Sequence, residues 1–135
     1  MNCKNCLKEI SNRSKYCSNK CQKEFEYKQY IIKWKNGEVS GMRGDYQISM
    51  NIKRYIFEKY NNKCVQCGWG ETNPYTNTLP LEIEHIDGNY KNNSEDNLIL
   101  LCPNCHSLTS TYKGANVQNG RKSRSKYYTK KEGKL

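Results

Sequence analysis

Apolar positions are sparse along this chain, and where they occur their spacing changes from segment to segment. Ile48, Ile52, Tyr55, Ile56 and Tyr60 recur at helical intervals, which predicts an amphipathic helix over residues 48–60 that ends at Asn61-Asn62. Residues 81–86, LEIEHI, alternate apolar and polar side chains as a half-buried strand does. Asp87-Gly88 then opens a long Asn-rich turn, and residues 97–101 read as a second strand, so the two predict a hairpin with a wide connection. Pro103 suits the first turn of a helix over residues 102–112. Upstream, residues 18–32 predict a polar helix whose packing surface is Phe25 and residues 27–32. Between the two upstream helices, Asn36, Gly37, Gly41 and Gly44 mark residues 34–47 as a turn-rich linker. A polar loop over residues 69–78 contains Asn73-Pro74. From residue 113 onward no apolar period survives, which predicts an extended or disordered arm.

Composition changes this picture by making it too weak to stand alone. Only 35% of the 135 residues are hydrophobic, so a small domain of this kind needs a staple. Eight cysteines supply it. They fall into four close pairs, Cys3/Cys6, Cys17/Cys21, Cys64/Cys67 and Cys102/Cys105, at gaps that suit metal ligands. Two four-cysteine zinc sites would use all eight, the first closing a compact N-terminal knuckle that would not fold without its ion. Four disulfides are the other arrangement. They require an oxidising compartment, and the start Met-Asn-Cys-Lys offers no apolar secretory segment. Nor is any apolar run long enough to span a membrane. The expectation is two zinc ions in a cytoplasmic protein with no membrane partner.

Charge adds a partner. The net charge is +10, and it is unevenly placed. Residues 1–30 carry seven Lys/Arg against three acids and residues 113–135 carry eight against one, while residues 31–112 carry eight against nine. Two basic ends around a near-neutral centre fit a polyanion gripped at the ends and worked on in the middle. Arg121, Lys122, Arg124 and Lys126 lie where no packing signal competes, so the phosphate backbone of DNA is their expected partner. The plainer reading of such a tail is solubility. Tyr127-Tyr128 could stack on bases, but nothing in the sequence requires it.

The centre holds the chemistry. Both histidines of the chain lie in one stretch, where EHIDGN is followed by NNSEDNLILLCPNCH. With Cys64-Val-Gln-Cys67 upstream, this order of EH, NL-x-x-L and C-x-x-CH resembles the HNH nuclease family, over about residues 52–116. The segment Tyr112-Lys113-Gly114-Ala115-Asn116 also resembles bacterial and phage members, and the N-terminal knuckle resembles treble-clef fingers, a weaker match. The resemblance implies a ββα-metal unit that hydrolyses DNA phosphodiesters in a bacterial or phage-infected cell. Position by position it makes His85 the general base, Glu84 and His106 the ligands of a catalytic Mg²⁺ or Mn²⁺, and Asn97 the brace of the hairpin loop that positions the base. Aspartate is commoner in the family where this chain has Glu84. His106 could instead complete a zinc site, since it follows Cys105, but a four-cysteine set is already full without it. Asp87 could join the metal shell, yet Asp-Gly is an ordinary turn opener, and the turn is the preferred reading.

The expectation is therefore a small α+β protein stapled by zinc. Residues 1–33 form the knuckle and helix, 34–47 the linker, 48–116 the ββα-metal unit and 117–135 the basic arm. Such a unit has one active site, so it nicks as a monomer or cuts both strands as a homodimer. A non-catalytic zinc-finger DNA-binding protein on the same scaffold is the rival from another class. An RNA-binding zinc ribbon is a third reading that the charge permits. A base beside metal ligands favours the nuclease, because a pure binder has no need of it.

Overall fold

A computed structural model of the chain describes residues 1–110, so the arm with Arg121, Lys122, Arg124 and Lys126 lies outside the described residues. The chain divides into two compact units, Met1–Val39 and Ser40–Leu135.

The first unit is a knuckle followed by one helix. An isolated antiparallel bridge joins Asn2 to Glu9, and the amide of Cys3 donates to the Lys8 carbonyl at 2.8 Å. The turn between them carries Leu7 at φ 67°, a left-handed conformation unusual for leucine, on an exposed position. Helix α1 covers Asn19–Lys35, with the Ser18 hydroxyl accepting from the Cys21 amide at 3.1 Å as its N-terminal cap. It runs three residues beyond the predicted end and buries Ile31 and Trp34. It stops where Gly37 takes φ 77° and donates to the Trp34 carbonyl. The Asn-Gly step read as linker is thus the helix stop itself.

The second unit opens with a short antiparallel ladder of β1, Met42–Arg43, and β2, Gln47–Ile48, in a stretch predicted to be linker. Strand periodicity is illegible over two residues, which is why the glycines there suggest only turns. Ser49 caps α2, Met50–Lys59, which starts two residues later than predicted. Asn61 and Asn62, both at positive φ, end the helical segment. The Cys64–Cys67 turn is closed by Gly68, whose amide donates to the Cys64 carbonyl. The same turn is joined to Leu100 by the Val65 amide, which donates to the Leu100 carbonyl at 2.9 Å. Gly70 lies so close to the Asn62 carbonyl that a Cβ there would sit 2.3 Å from the oxygen.

Strands β3, Glu82–His85, and β4, Leu98–Leu101, pair antiparallel with Glu84 opposite Ile99 and His85 opposite Leu98. One 3-10 turn, Glu95–Asn97, leads into β4. Helix α2 packs on β4. Ile52 and Ile56 from the helix and Leu98, Leu100 and Leu101 from the strand are fully buried. Helix α3 is only Pro103–Ser107. The sequence predicts that it reaches residue 112, but Leu108 is exposed, so the helix has no apolar face to prolong.

Candidate functional site

The alternation along β3 misleads in an instructive way. It predicts buried Ile and exposed Glu, yet Glu84 is buried and Ile86 exposed. The reason is α3, which packs against both strands of the hairpin and brings His106 against Glu84, while Glu82 at the edge stays exposed. Nδ1 of His106 lies 2.6 Å from Oε2 of Glu84, and its Nε2 lies 3.1 Å from Oε2 of Glu82. The first contact is close enough for an ion pair but off the direction of a hydrogen bond. It is therefore best described as two donor atoms crowded toward one point. A carboxylate and an imidazole converging in this way suit a divalent cation that also takes oxygen ligands from solvent or phosphate.

His85 ends β3, and its Nε2 lies 2.7 Å from Oδ1 of the buried Asn93. A carboxamide oxygen only accepts, so Nε2 is the donor of this bond, and a neutral ring held this way has its lone pair at Nδ1. Asn97 closes the loop between the strands. Its Oδ1 accepts from the Asp87 amide at 3.0 Å, and its Nδ2 donates to Asp87 Oδ1 at 2.9 Å and to the Asn92 carbonyl at 2.8 Å. Asp87 belongs to this loop. The Asn92 side-chain amide, the Asn89 amide and the Asn97 side chain all donate to its carboxylate and, against the opposing effect of partial burial, hold its pKa below the ordinary aspartate value.

The cysteines form the two expected groups. Cys3, Cys6, Cys17 and Cys21 bring their sulfurs within 4.8 Å of one another, and so do Cys64, Cys67, Cys102 and Cys105. All eight are free thiols. The Cys17–Cys21, Cys6–Cys17 and Cys67–Cys102 sulfur pairs are 3.3, 3.6 and 3.6 Å apart. The edge of a tetrahedron of sulfurs around zinc is about 3.8 Å, from a metal–sulfur bond of about 2.3 Å. His106 is in neither group. Amide N–H groups of Cys6, Cys17 and Asn5 point at the Cys3 sulfur and lower its pKa to about 6. Burial opposes the same effect at Cys64, but the amides of Cys102, Cys67 and Gln66 outweigh it and bring that thiol to about 6. The neighbouring thiols push Cys17 and Cys105 up to about 12. Four thiolates cannot ionise so close together unaided, and a bound cation removes that conflict.

Residues 64–111 match the HNH endonuclease family. This segment is an HNH endonuclease domain. The chain is also 40% identical over 95 residues to H-N-H endonuclease F-TflIV of Escherichia phage T5, an alignment that covers 67% of this chain and 40% of that protein. The chain therefore spans about two fifths of the length of the curated relative it matches. No solved structure matches the chain. Among the described residues, no helix is long and apolar enough to cross a membrane.

Two polar residues at the centre of the HNH domain are not singled out by the sequence. Glu82 reads as the solvent side of a strand, and its signal is only its place two residues before Glu84, on the same strand face. Asn93 is one of several asparagines in a polar turn. Nothing but the fold singles it out as the partner of His85.

Proposed function

We propose that the chain is a metal-dependent DNA endonuclease in which Glu84 and His106 hold one divalent ion and His85 is the general base. The observation that carries this reading is the convergence of Glu84 and His106 at 2.6 Å, with the residue next to Glu84 in the chain, His85, held through its Nε2 at 2.7 Å by Asn93. His85 presents a lone pair at Nδ1 and takes the proton of a water that attacks phosphorus. Bound at this pair, Mg²⁺ or Mn²⁺ would supply positive charge to the phosphate and to the departing 3′ oxygen. Asn97 fixes the loop from which Asn93 reaches His85. The two four-cysteine groups hold zinc and fix the hairpin and the knuckle rather than react. The basic ends grip the DNA backbone, and the setting is the cytoplasm of a bacterial or phage-infected cell. The segment layout follows the same reading, with residues 48–116 as the working unit and residues 117–135 as the arm.

Purified protein incubated with supercoiled plasmid and Mg²⁺ or Mn²⁺ tests it. Nicked circles are expected, and they should be absent with EDTA or in His85→Ala. Tight DNA binding with no cleavage under any divalent ion would instead leave a DNA-binding protein on an HNH scaffold.

A further inference from the structure

The hydrogen bond of Asn93 to His85 places Asn93 between the loop brace and the base. We propose that Asn93 is a positioning residue that selects the Nε2–H tautomer of His85, and that Asn97 acts on His85 through it. The inference rests on the reading of His85 as the base.

Three observations support it. Asn93 is 4% exposed, in a loop where Asn89, Lys91, Asn92 and Ser94 remain at least partly accessible. A buried carboxamide is costly unless both of its ends are engaged. Its Oδ1 is 2.7 Å from His85 Nε2, and its Nδ2 points at the Met42 sulfur on β1 at 2.9 Å. The Met42 contact also fixes which end of the amide faces the ring, because a thioether is a weak acceptor and offers a carboxamide oxygen nothing. Finally, the backbone one residue earlier is fixed. The Asn92 carbonyl accepts from Asn97 Nδ2 at 2.8 Å, and the Asn92 side chain accepts from the Ser94 hydroxyl at 3.0 Å while donating to Asp87. One hydrogen bond thus ties Asn97 to the Asn92 carbonyl, the peptide bond leads on to Asn93, and a second hydrogen bond joins Asn93 to the ring.

The consequence is specific. Neutral imidazole has two tautomers, and only the one protonated at Nε2 leaves Nδ1 able to take a proton. Losing the Asn93 acceptor lets the other tautomer form and the ring turn, even in a folded protein. Through this hydrogen bond Asn93 acts on His85 as a positioning residue.

Nitrogen-15 NMR of the zinc-loaded 135-residue chain, at a pH where the ring is neutral, reads the tautomer directly. With two histidines in the chain, His106→Ala assigns the signals. His85 is expected as the Nε2–H tautomer in the wild type and in Asn93→Asp, which keeps an acceptor. It should be a mixture in Asn93→Leu, which fills the space without one. Asn97→Ala should drift in the same direction. Cleavage should fall about ten- to a hundredfold in Asn93→Leu, the usual worth of a group that orients a working histidine, at unchanged zinc content and unchanged half-saturating Mg²⁺. An Nδ1–H tautomer in the wild type would overturn the proposal, and so would an Asn93→Leu spectrum with the same tautomer ratio as the wild type. An Nδ1–H signal in the wild type overturns the proposal even where a variant does not fold. It does so whether or not the protein cuts DNA, so failure of this inference is distinct from failure of the nuclease reading.

Discussion

The chain contains two four-cysteine groups of almost the same make-up, yet they do different work. In the knuckle all four thiols lie within residues 3–21, and the loop they close is made of the same few residues that carry them. In the HNH domain the first pair is at 64 and 67 and the second at 102 and 105, so the whole β3–loop–β4 hairpin, with Glu84, His85 and Asn97, lies between them. One group closes a local turn. The other brackets the two ends of the HNH hairpin, and α3 begins on its last pair, with Cys102 as the cap and Cys105 inside the helix. Identical ligand chemistry therefore carries different consequences, because loop length and content decide what an ion holds together.

The sharpest way to break the comparison is to remove one ligand from each group. Structural zinc is worth about 10–16 kcal/mol in small domains, as much as the roughly 5–15 kcal/mol that holds a whole domain folded. Cys64→Ser should drop the zinc content from two to one, unfold the hairpin and abolish cleavage. Cys3→Ser should lose the other zinc and leave amide protection in β3 and β4 as it was. Metal analysis with hydrogen exchange on both variants checks this. A Cys3 variant that loses the hairpin as well would mean that the two groups are not independent.

Cleavage itself should fail next, and without any loss of zinc. His85→Ala should slow plasmid nicking by about 10²- to 10⁴-fold, the usual worth of a positioned base, with two zinc ions retained. His106→Ala and Glu84→Ala should behave differently from it, since raising Mn²⁺ should restore part of their activity and none of His85→Ala's. If His106→Ala lost a zinc, the histidine would belong to the neighbouring four-cysteine group after all.

These contrasts also mark how far the sequence can be read. Cysteine gaps and the EH…N…H order are local, and local chemistry survives in one dimension. So the two four-cysteine groups, α2 and the hairpin are legible. The inversion at Glu84 is not, because alternation reports burial against an apolar core, and what covers this face is a histidine from a helix two elements later. Asn93 and Glu82 stay hidden for the same reason. Each gains its role from a partner 8 or more residues away, and neither differs in type from its neighbours. The β1–β2 ladder is hidden because two-residue strands have no period to detect.

The basic arm gives a smaller, graded effect. Residues 121–135 hold seven of the chain's 23 Lys/Arg. Deleting them should weaken DNA binding and flatten its dependence on salt, with each lost phosphate contact lowering the slope by about 0.9. Binding isotherms at several salt concentrations decide it, and an unchanged slope would make the arm a solubility tail.

The smallest expected difference separates the two helix starts. Ser18 and Ser49 both cap a helix with a hydroxyl, the first accepting from the Cys21 amide at 3.1 Å and the second from the Asn51 amide at 3.2 Å. Ser18 is exposed, so an amide that loses it can turn to water, whereas Ser49 is 8% exposed and sits where water is scarce. An uncapped amide costs most where it cannot be rehydrated. Ser49→Ala should therefore cost about 1–2 kcal/mol and Ser18→Ala about 0.5 kcal/mol, the two ends of the range for serine caps. Denaturation of the zinc-loaded protein, with probes in each helix, measures both. Equal losses would mean that burial does not set the worth of these caps, and that the two units differ only in what their metal groups enclose.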